Sequence, residues 1–515
     1  MKKVFSAWKE DFPASLVVFF VALPLCLGIG LASTNIEGFP PLPITGLIAG
    51  IVGGVVVGII SNSRLGVSGP AAGLITVVIS SISLLGSFNV FLLAVVFAGL
   101  IQLVFSFLKA GIIANYIPSG VIKGMLAAIG ITLILKEIPH LIGYDKDYVG
   151  DDAFFQQDGH NTITEILYAI KSIDLGIAMI GLISLVLVIL FERPFFKQAV
   201  LFKYIPSMLW VIVIGTLVNV VLTYAGHDLH IAKEHLVQIP AMNSWKVFQS
   251  HLIFPDFSAI NNPKVYLVAI TIAAIASLET LLSVEAIDRL DPSKAITNPN
   301  RELLAQGIGN TVTGLLGGIP ITQVIVRSTA NLNSGAKTKG SSIYHGIWLI
   351  CALVFLSPLL NLIPLATLAA ILISVGYKLT NLKLFKAQFD RGWEQFIPFI
   401  ITILAILFTD LLKGIGIGLI IAIFYIIKRN FDGNHEVLKG NNRVEIILGE
   451  HINFLNIASI KNTLMNLPPG SEVIFNTSKS KSMDYDIQEF LMDFISITAK
   501  NKNISVQYVG PQLTK

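Results

Sequence analysis

Two short segments marked by glycine and proline, Ser68-Gly69-Pro70-Ala71-Ala72-Gly73 and Gly317-Gly318-Ile319-Pro320-Ile321-Thr322, interrupt very apolar sequence about 250 residues apart. Each opens a helix-like run too short to cross a bilayer unaided, since a span needs about 20 apolar residues. Paired interruptions at matching places in two halves of a membrane chain mark broken helices around a site near the bilayer midplane. The alternative is that these residues only kink ordinary spans or let helices pack closely. Their symmetric placement favours broken helices.

Composition supports a membrane setting. Charged residues make up only 13% of the 515 residues and hydrophobic ones 54%, where a soluble domain carries about 25% charged. A mean hydropathy of +0.74 and repeated uncharged runs indicate a multi-span protein. The net charge of +4 is small, and no basic tract with interleaved aromatics supports a nucleic-acid partner. Cys26 and Cys351 both lie in apolar runs and read as buried, inert thiols without zinc spacing. The nine histidines form no metal motif, and those in the 225–262 loop read as solvated. No nucleotide-binding loop is present, so transport would be secondary and no cofactor is expected. The segment Met1 to Asp11 lacks the features of a cleavable signal.

Fourteen membrane segments are predicted. The first seven lie near 14–33, 42–60, 69–84, 89–108, 118–136, 175–192 and 204–224. The second seven lie near 264–284, 302–316, 320–333, 342–357, 362–377, 394–410 and 413–428. Lys and Arg of the short loops, such as Arg64, Lys109, Arg193, Arg289, Lys337 and Lys428, all fall on one side of this arrangement. The other side receives Glu37, the acidic stretch Asp145 to Asp158 and the 225–262 loop. Positive residues favour the cytoplasm, so both termini are expected there, in a multi-pass protein of the inner (cytoplasmic) membrane. Seven is odd, so the second set crosses in the opposite sense and the third and tenth segments become equivalent under an inverted repeat. Strand-like leads, Arg64 to Ser68 and Gly314 to Gly318, would bring two helix N-termini face to face. Unpaired N–H groups and the positive dipole ends make such a pair an anion site.

The fold class expected is therefore an all-α polytopic membrane protein with a seven-plus-seven inverted repeat over residues 1–429, followed by a small α/β domain. Past Arg429, Val444 to Leu448, Glu472 to Thr477 and Ile504 to Val509 read as strands, and Ile457 to Leu467 and Asp486 to Ala499 as amphipathic helices. Residues 430–436 read as a linker and 437–515 as a cytoplasmic domain.

Glu279 is the clearest charge inside a span, in Ala276-Ser277-Leu278-Glu279-Thr280. An ionised carboxylate there is costly unless paired, hydrated or protonated, so it reads as functional: a proton carrier, or a carboxylate neutralised by a cation. Ser283 follows one turn later on the same helix face. Arg327 follows the Pro320 break by about two turns and either lends positive charge to an anion pocket or pairs with an acid at the helix end. Lys123 and Lys136 read as interfacial, and Gln102 as a helix–helix hydrogen bond rather than a ligand. The anion itself is expected near Gly69, Ala71, Ala72, Gln323 and Val324.

Taken together, Asp11-Phe12-Pro13-Ala14-Ser15, Ala22-Leu23-Pro24, Ser68 to Ala72, Tyr116 to Gly124, Ser277-Leu278-Glu279 and Gly317 to Pro320 with Arg327 and Asn331 resemble the sulfate permease (SulP) family of anion transporters. The resemblance runs along nearly the whole chain. It implies a core of segments 1–4 and 8–11 that holds substrate, a gate of segments 5–7 and 12–14, a homodimer in the lipid bilayer, and a tail similar to the family's STAS domain. Pro24 and Leu25 then join the substrate site, and Glu279 with Ser283 the ion-coupling site. Asn476-Thr477-Ser478 and Met483 to Asp486 stand at the STAS motif positions without the serine phosphorylated in soluble relatives, so phospho-switching is not expected.

The family has bicarbonate and sulfate members. Leu25 after Pro24 is similar to sodium-coupled bicarbonate transporters, but Glu279, Ser283, Gln323, Val324 and Ile325 depart from their sodium site. The implied function is secondary transport of a small inorganic anion, as proton- or sodium-coupled symport or as anion exchange, and not enzymatic. The alternative is a nucleobase or dicarboxylate transporter of the same architecture; Arg327 and the STAS-like tail argue against a nucleobase. A sensor or scaffold whose tail carries the function fits poorly with Glu279 and the broken helices.

Overall fold

We describe a computed structural model over residues 6–34, 36, 42–146, 148–149, 154–155, 160–198, 206–224, 231–239, 252–432, 435–440, 443–452 and 456–510. Glu37, Gly433, Asn434 and much of the 225–262 loop, used above for orientation and boundaries, lie outside the described residues. The chain divides into two compact units, Met1–Leu419 and Ile420–Lys515.

The first unit is a polytopic membrane body built almost wholly of helices. Its first half contains α1 (Trp8–Thr34), α2 (Ile44–Ile60), strand β1 (Ser68–Pro70), α3 (Ile75–Leu85, led by a tight turn at Ala72–Leu74) and α4 (Phe88–Phe107). Then come α5 (Ser119–Leu141), α6 (Thr162–Lys171), α7 (Leu175–Phe191) and α8 (Ser207–Tyr224). The second half contains α9 (Pro263–Leu290), α10 (Pro299–Leu316), strand β2 (Ile321–Gln323), α11 (Ile325–Asn333) and α12 (Gly340–Leu360). It closes with α13 (Leu365–Leu379), α14 (Leu382–Phe389), α15 (Trp393–Phe408) and α16 (Leu411–Asp432). Among the described residues six helices are long and apolar enough to cross a bilayer by themselves, and the pair α6–α7, bent by 117°, makes a seventh candidate. The remainder are short or carry charge, which is why hydropathy alone does not fix the number of crossings.

Local chemistry sets the boundaries. The same Asn-Pro pair opens α9 and α10: Asn262 and Asn298 accept from first-turn amides, and proline at the first helical position needs no N–H partner. Helix α10 stops at Gly317, whose φ of +87° suits glycine and whose missing side chain avoids the carbonyl of Ile253.

Strands β1 and β2 pair antiparallel, with Ser68 opposite Gln323, Gly69 opposite Thr322 and Pro70 opposite Ile321. This corrects the expected leads. Gly314 to Leu316 is the last turn of α10, the extended residues are Ile321–Gln323, and α11 starts at Ile325 rather than at Pro320. On the other side the strand is Ser68–Pro70 rather than Arg64 to Ser68, because residues 64–67 make loop contacts instead: Val67 N–H donates to Ser328 Oγ, and Asn331 Nδ2 to the Leu65 carbonyl.

Packing sorts the helices into two groups. Helices α4 and α10 pack along their lengths, α9 lies against α4, and α1 packs on α2, α11 and α12. Separately, α5 packs against α13 and α15, and α7 against α13 and α8. Gln102 joins the first group as a bridge, donating to Ser277 Oγ at 3.2 Å and accepting from Asn310 Nδ2 at 2.8 Å.

Two surface expectations change. Lys136 is buried and pairs with the equally buried Glu165 at 3.9 Å, because α6 folds back over α5. His235 is tied down rather than solvated: its Nδ1 lies 2.6 Å from Asp145, which also holds His140 at 2.5 Å. Burial opposes ionisation of Asp145, but its two histidine partners outweigh that and hold its carboxyl below the usual range.

In the second unit, β3 (His435–Lys439), β4 (Arg443–Leu448), β6 (Glu472–Asn476) and β8 (Ser505–Val509) form one sheet in the order β3-β4-β6-β8, where β5 (His451–Ile452) pairs with β7 (Ser482–Met483) outside it. Only β3–β4 is antiparallel. Helices α17 (Ile457–Met465) and α18 (Tyr485–Asp493) bury Ile460, Leu464, Ile487 and Leu491 against Ile446, Val473 and Phe475. The expected linker at 430–436 is shorter than proposed, because α16 runs to Asp432 and β3 starts at His435.

Candidate functional site

Irregular backbone inside a membrane body must have its polar groups satisfied by neighbours. Helix α10 does this for Ile321 of β2 and holds β1 by the Ser68 side chain. Gln306 Nε2 donates to Ser68 Oγ at 2.7 Å and to buried Glu302 at 3.0 Å, while Glu302 also accepts from Ser61 at 2.5 Å. One turn on, Asn310 donates to the Ile321 carbonyl at 3.0 Å and accepts from the Ile321 amide at 2.7 Å. Sequence reasoning missed this brace, although Glu302, Gln306 and Asn310 recur every four residues, one face of a helix.

Past the paired strands, α3 and α11 start beside a cavity of about 90 Å³. Its walls bring together Leu25 of α1, Ala72 and Gly73 at the start of α3, and Glu279 with Ser283 of α9. Val324 to Arg327 supply the first turn of α11. Neither helix start carries a side-chain cap. The amides of Ile325, Val326 and Arg327 therefore have no carbonyl of their own helix to reach, and the dipole adds positive potential.

Arg327 is the largest fully buried side chain and carries a full charge. Its Nη2 donates to the Pro70 carbonyl at 3.3 Å and the buried Cys26 thiol lies within reach of the guanidinium, while Nε and Nη1 find no oxygen or nitrogen acceptor among the described residues. Among the described residues no carboxylate lies within 4.0 Å of it, so the expected alternative of a helix-end ion pair does not hold. A buried unpaired charge is strongly unfavourable unless something completes it. Because Arg327 exposes no surface, it acts on the cavity through its field rather than by touching solvent.

Several expected site residues sit behind the wall rather than in it. A Cβ at Gly69 would lie 2.1 Å from Arg327 Nη1, so Gly69 makes room for the guanidinium. Ala71 is buried, and Pro24 lies within α1, whose Leu25 and Ile29 reach the cavity. The amides of Gln323 and Val324, expected as anion donors, are already used: one donates to Thr280 Oγ1 at 3.2 Å and the other to the Val67 carbonyl at 2.9 Å. The Gln323 side chain turns toward Gly66, away from the cavity. The α9 hydroxyl and the Val67 carbonyl consume those donors and hand the role to the next turn.

Glu279 is half-buried, and a Cβ at Gly73 would come within 3.2 Å of its Oε1. It borders both the main cavity and a smaller one of about 10 Å³, shared with Ser283 and Gly73. The opposite wall, unforeseen in the sequence, comes from the second helix group: Ile129, Thr132 and Leu133 of α5, Ile406 of α15, and Asp410 with Leu411 where α16 begins. The break at Thr409-Asp410 between two apolar spans was the available signal.

The sequence profile described as the Sulfate permease family matches residues 8–402. Among named proteins, the chain is 26% identical over 434 residues to the bicarbonate transporter BicA of Picosynechococcus sp., covering 82% of this chain and 70% of that one. It is 24% identical over 521 residues to the sodium-independent sulfate anion transporter of Bos taurus, covering 95% and 82% respectively. Among solved structures, murine Solute Carrier 26 family member A9, an anion transporter in the inward-facing state, superposes with a TM-score of 0.67 at 14% identity, covering 98% of this chain and 85% of that one.

Proposed function

The chain belongs to the sulfate permease family of membrane anion transporters, and from that premise we propose that it moves a small inorganic anion, sulfate or bicarbonate, across the cytoplasmic membrane by alternating access. The observation that carries this reading is Arg327, a fully buried and unpaired cation beside a cavity at which two uncapped helices begin. An oxyanion placed at the start of α11 supplies the missing negative charge and meets amide donors that need no further buried cation.

In this reading α1–α4 and α9–α12 form the substrate-holding core, and α5, α7, α8, α13, α15 and α16 the gate. The two groups form fourteen crossings related as an inverted repeat, with both termini cytoplasmic. Motion of the core against the gate opens the cavity to each side in turn. Glu279, with Ser283 one turn away, is the coupling group: protonating it, or placing a cation against it, offsets the anion's charge during the crossing. The second unit is the family's STAS-like domain, serving docking or assembly in a homodimer.

The test is uptake of radiolabelled sulfate and bicarbonate into proteoliposomes holding the purified protein, with proton and sodium gradients imposed separately. Accumulation of either anion is expected, driven by one gradient or by counter-anion. Failure of both anions to accumulate or exchange under every gradient would overturn the proposal.

A further inference from the structure

The cavity has a negative wall as well as a positive one. Helix α15 ends at Phe408, Thr409 turns the chain (φ −130°, ψ −108°), and α16 starts at Leu411. Asp410 in that break lines the same cavity as the first turn of α11. Its Oδ1 accepts from the Lys413 amide at 2.8 Å, capping α16. Its Oδ2 pairs with Lys413 Nζ at 2.7 Å, with Lys413 largely in solvent at 73% exposure and Asp410 at 33%.

Capping a helix does not require a carboxylate. Asparagine caps equally well, so the charge at 410 has a consequence that its structural role does not need. A fixed negative charge facing an anion cavity opposes occupancy in proportion to the anion's charge, so a dianion is opposed twice as strongly as a monoanion. Lys413 offsets part of that repulsion, but from a position nearer solvent, where screening is stronger. Arg327 and the α11 start attract both ions, the dianion more strongly, and Asp410 opposes that preference.

Resting on the anion-site reading above, we propose that Asp410 is a specificity-determining residue: it shifts the balance of the site from divalent toward monovalent anions, with Lys413 tuning its strength. The core thereby favours the dianion, and the gate holds that preference in check.

The experiment is equilibrium binding of sulfate and of bicarbonate to the full-length protein in lipid nanodiscs, at one pH and ionic strength. Asp410→Asn keeps the cap and is expected to tighten bicarbonate about threefold and sulfate about tenfold, since the logarithmic gain doubles with charge. Lys413→Gln is expected to act oppositely, weakening sulfate more than bicarbonate, which simple damage to the break could not produce together with a gain in Asp410→Asn. Asp410→Glu should restore the wild-type preference. An unchanged sulfate-to-bicarbonate ratio in Asp410→Asn, or a shift of the same sign in Lys413→Gln, would overturn the inference. Arg327→Gln separates the two levels. If it weakens both anions while Asp410→Asn leaves their ratio unchanged, only the valence role falls; if it leaves both affinities intact, the anion site itself is elsewhere.

Discussion

The two broken helices use one backbone device for different ends. In the first half, β1, with Gly69 at its centre, leads into the small residues Ala71, Ala72 and Gly73 and then into α3, an apolar helix without a charge. In the second half, β2 leads into Gln323 and Val324 and then into α11, which buries Arg327, Ser328, Thr329 and Asn331 within two turns. The first half supplies space and the second supplies charge. An inverted repeat fixes where two chain segments meet, but the side chains decide what each brings. Gly69 links the two contributions, because the first strand leaves out a side chain where the second half's guanidinium lies.

The largest break in that division should come from Arg327→Gln, which removes the charge and leaves the space. Loss of about a hundredfold in sulfate affinity and about tenfold in bicarbonate affinity is expected, because attraction scales with anion charge in a low-dielectric wall. Isothermal titration of both anions measures it. Equal losses for the two would mean that Arg327 matters for folding rather than for its field.

Removing space while leaving charge intact comes next. Ala72 lines the cavity and Ala71 does not, so Ala72→Leu is expected to weaken binding of either anion by about thirtyfold, without discriminating valence. Ala71→Leu should instead lower thermal stability, since overpacking a filled wall typically costs about 1–3 kcal/mol. Binding and melting measurements on the two purified variants separate them. A stronger binding defect in Ala71→Leu would put the anion deeper, against the strands.

Glu279→Gln addresses the helix that serves both halves. Gradient-driven uptake is expected to be abolished, while equilibrium anion binding stays within about tenfold, roughly 1.4 kcal/mol. Wild-type gradient-driven uptake in this variant would remove Glu279 from coupling.

Much of this was legible in the sequence because the strongest signals were local. Proline and glycine in apolar surroundings marked both breaks, and a lone Glu279 or Arg327 in a span stands out on desolvation grounds alone. The residue that starts each helix was not legible. Whether Gln323 and Val324 offer their amides to an anion depends on contacts with distant residues, Thr280 of α9 and Val67 ahead of β1, and those contacts use them. The gate wall was missed for a related reason: Thr132 and Leu133 look like any span residues until α5 is packed against its neighbours. In the tail, the first two residues of β3, His435 and Glu436, read as linker because they follow Gly433-Asn434 directly and the strand is only five residues long. Asp11 was quoted only as part of a motif, yet it is fully buried and accepts from the amides of Lys337 and Thr338, at 2.7 and 2.9 Å, tying the start of α1 to the loop after α11.

The smallest predicted effect is the most local test of how space and charge meet. A methyl at Gly73 would lie 3.2 Å from Glu279 Oε1 and 3.5 Å from its Cδ, tight enough that the carboxylate must shift by a few tenths of an ångström. The backbone of Gly73 is in a right-handed turn at the start of α3, so alanine costs no strain there. Gly73→Ala should therefore leave anion affinity within about threefold and alter chiefly the gradient dependence of uptake, since only the coupling group has moved. In the double variant Gly73→Ala with Glu279→Gln, the added effect of the methyl on uptake is expected to vanish, as it does when two substitutions act through one contact. Full additivity in that cycle would mean that the space in the first half and the carboxylate of α9 work independently.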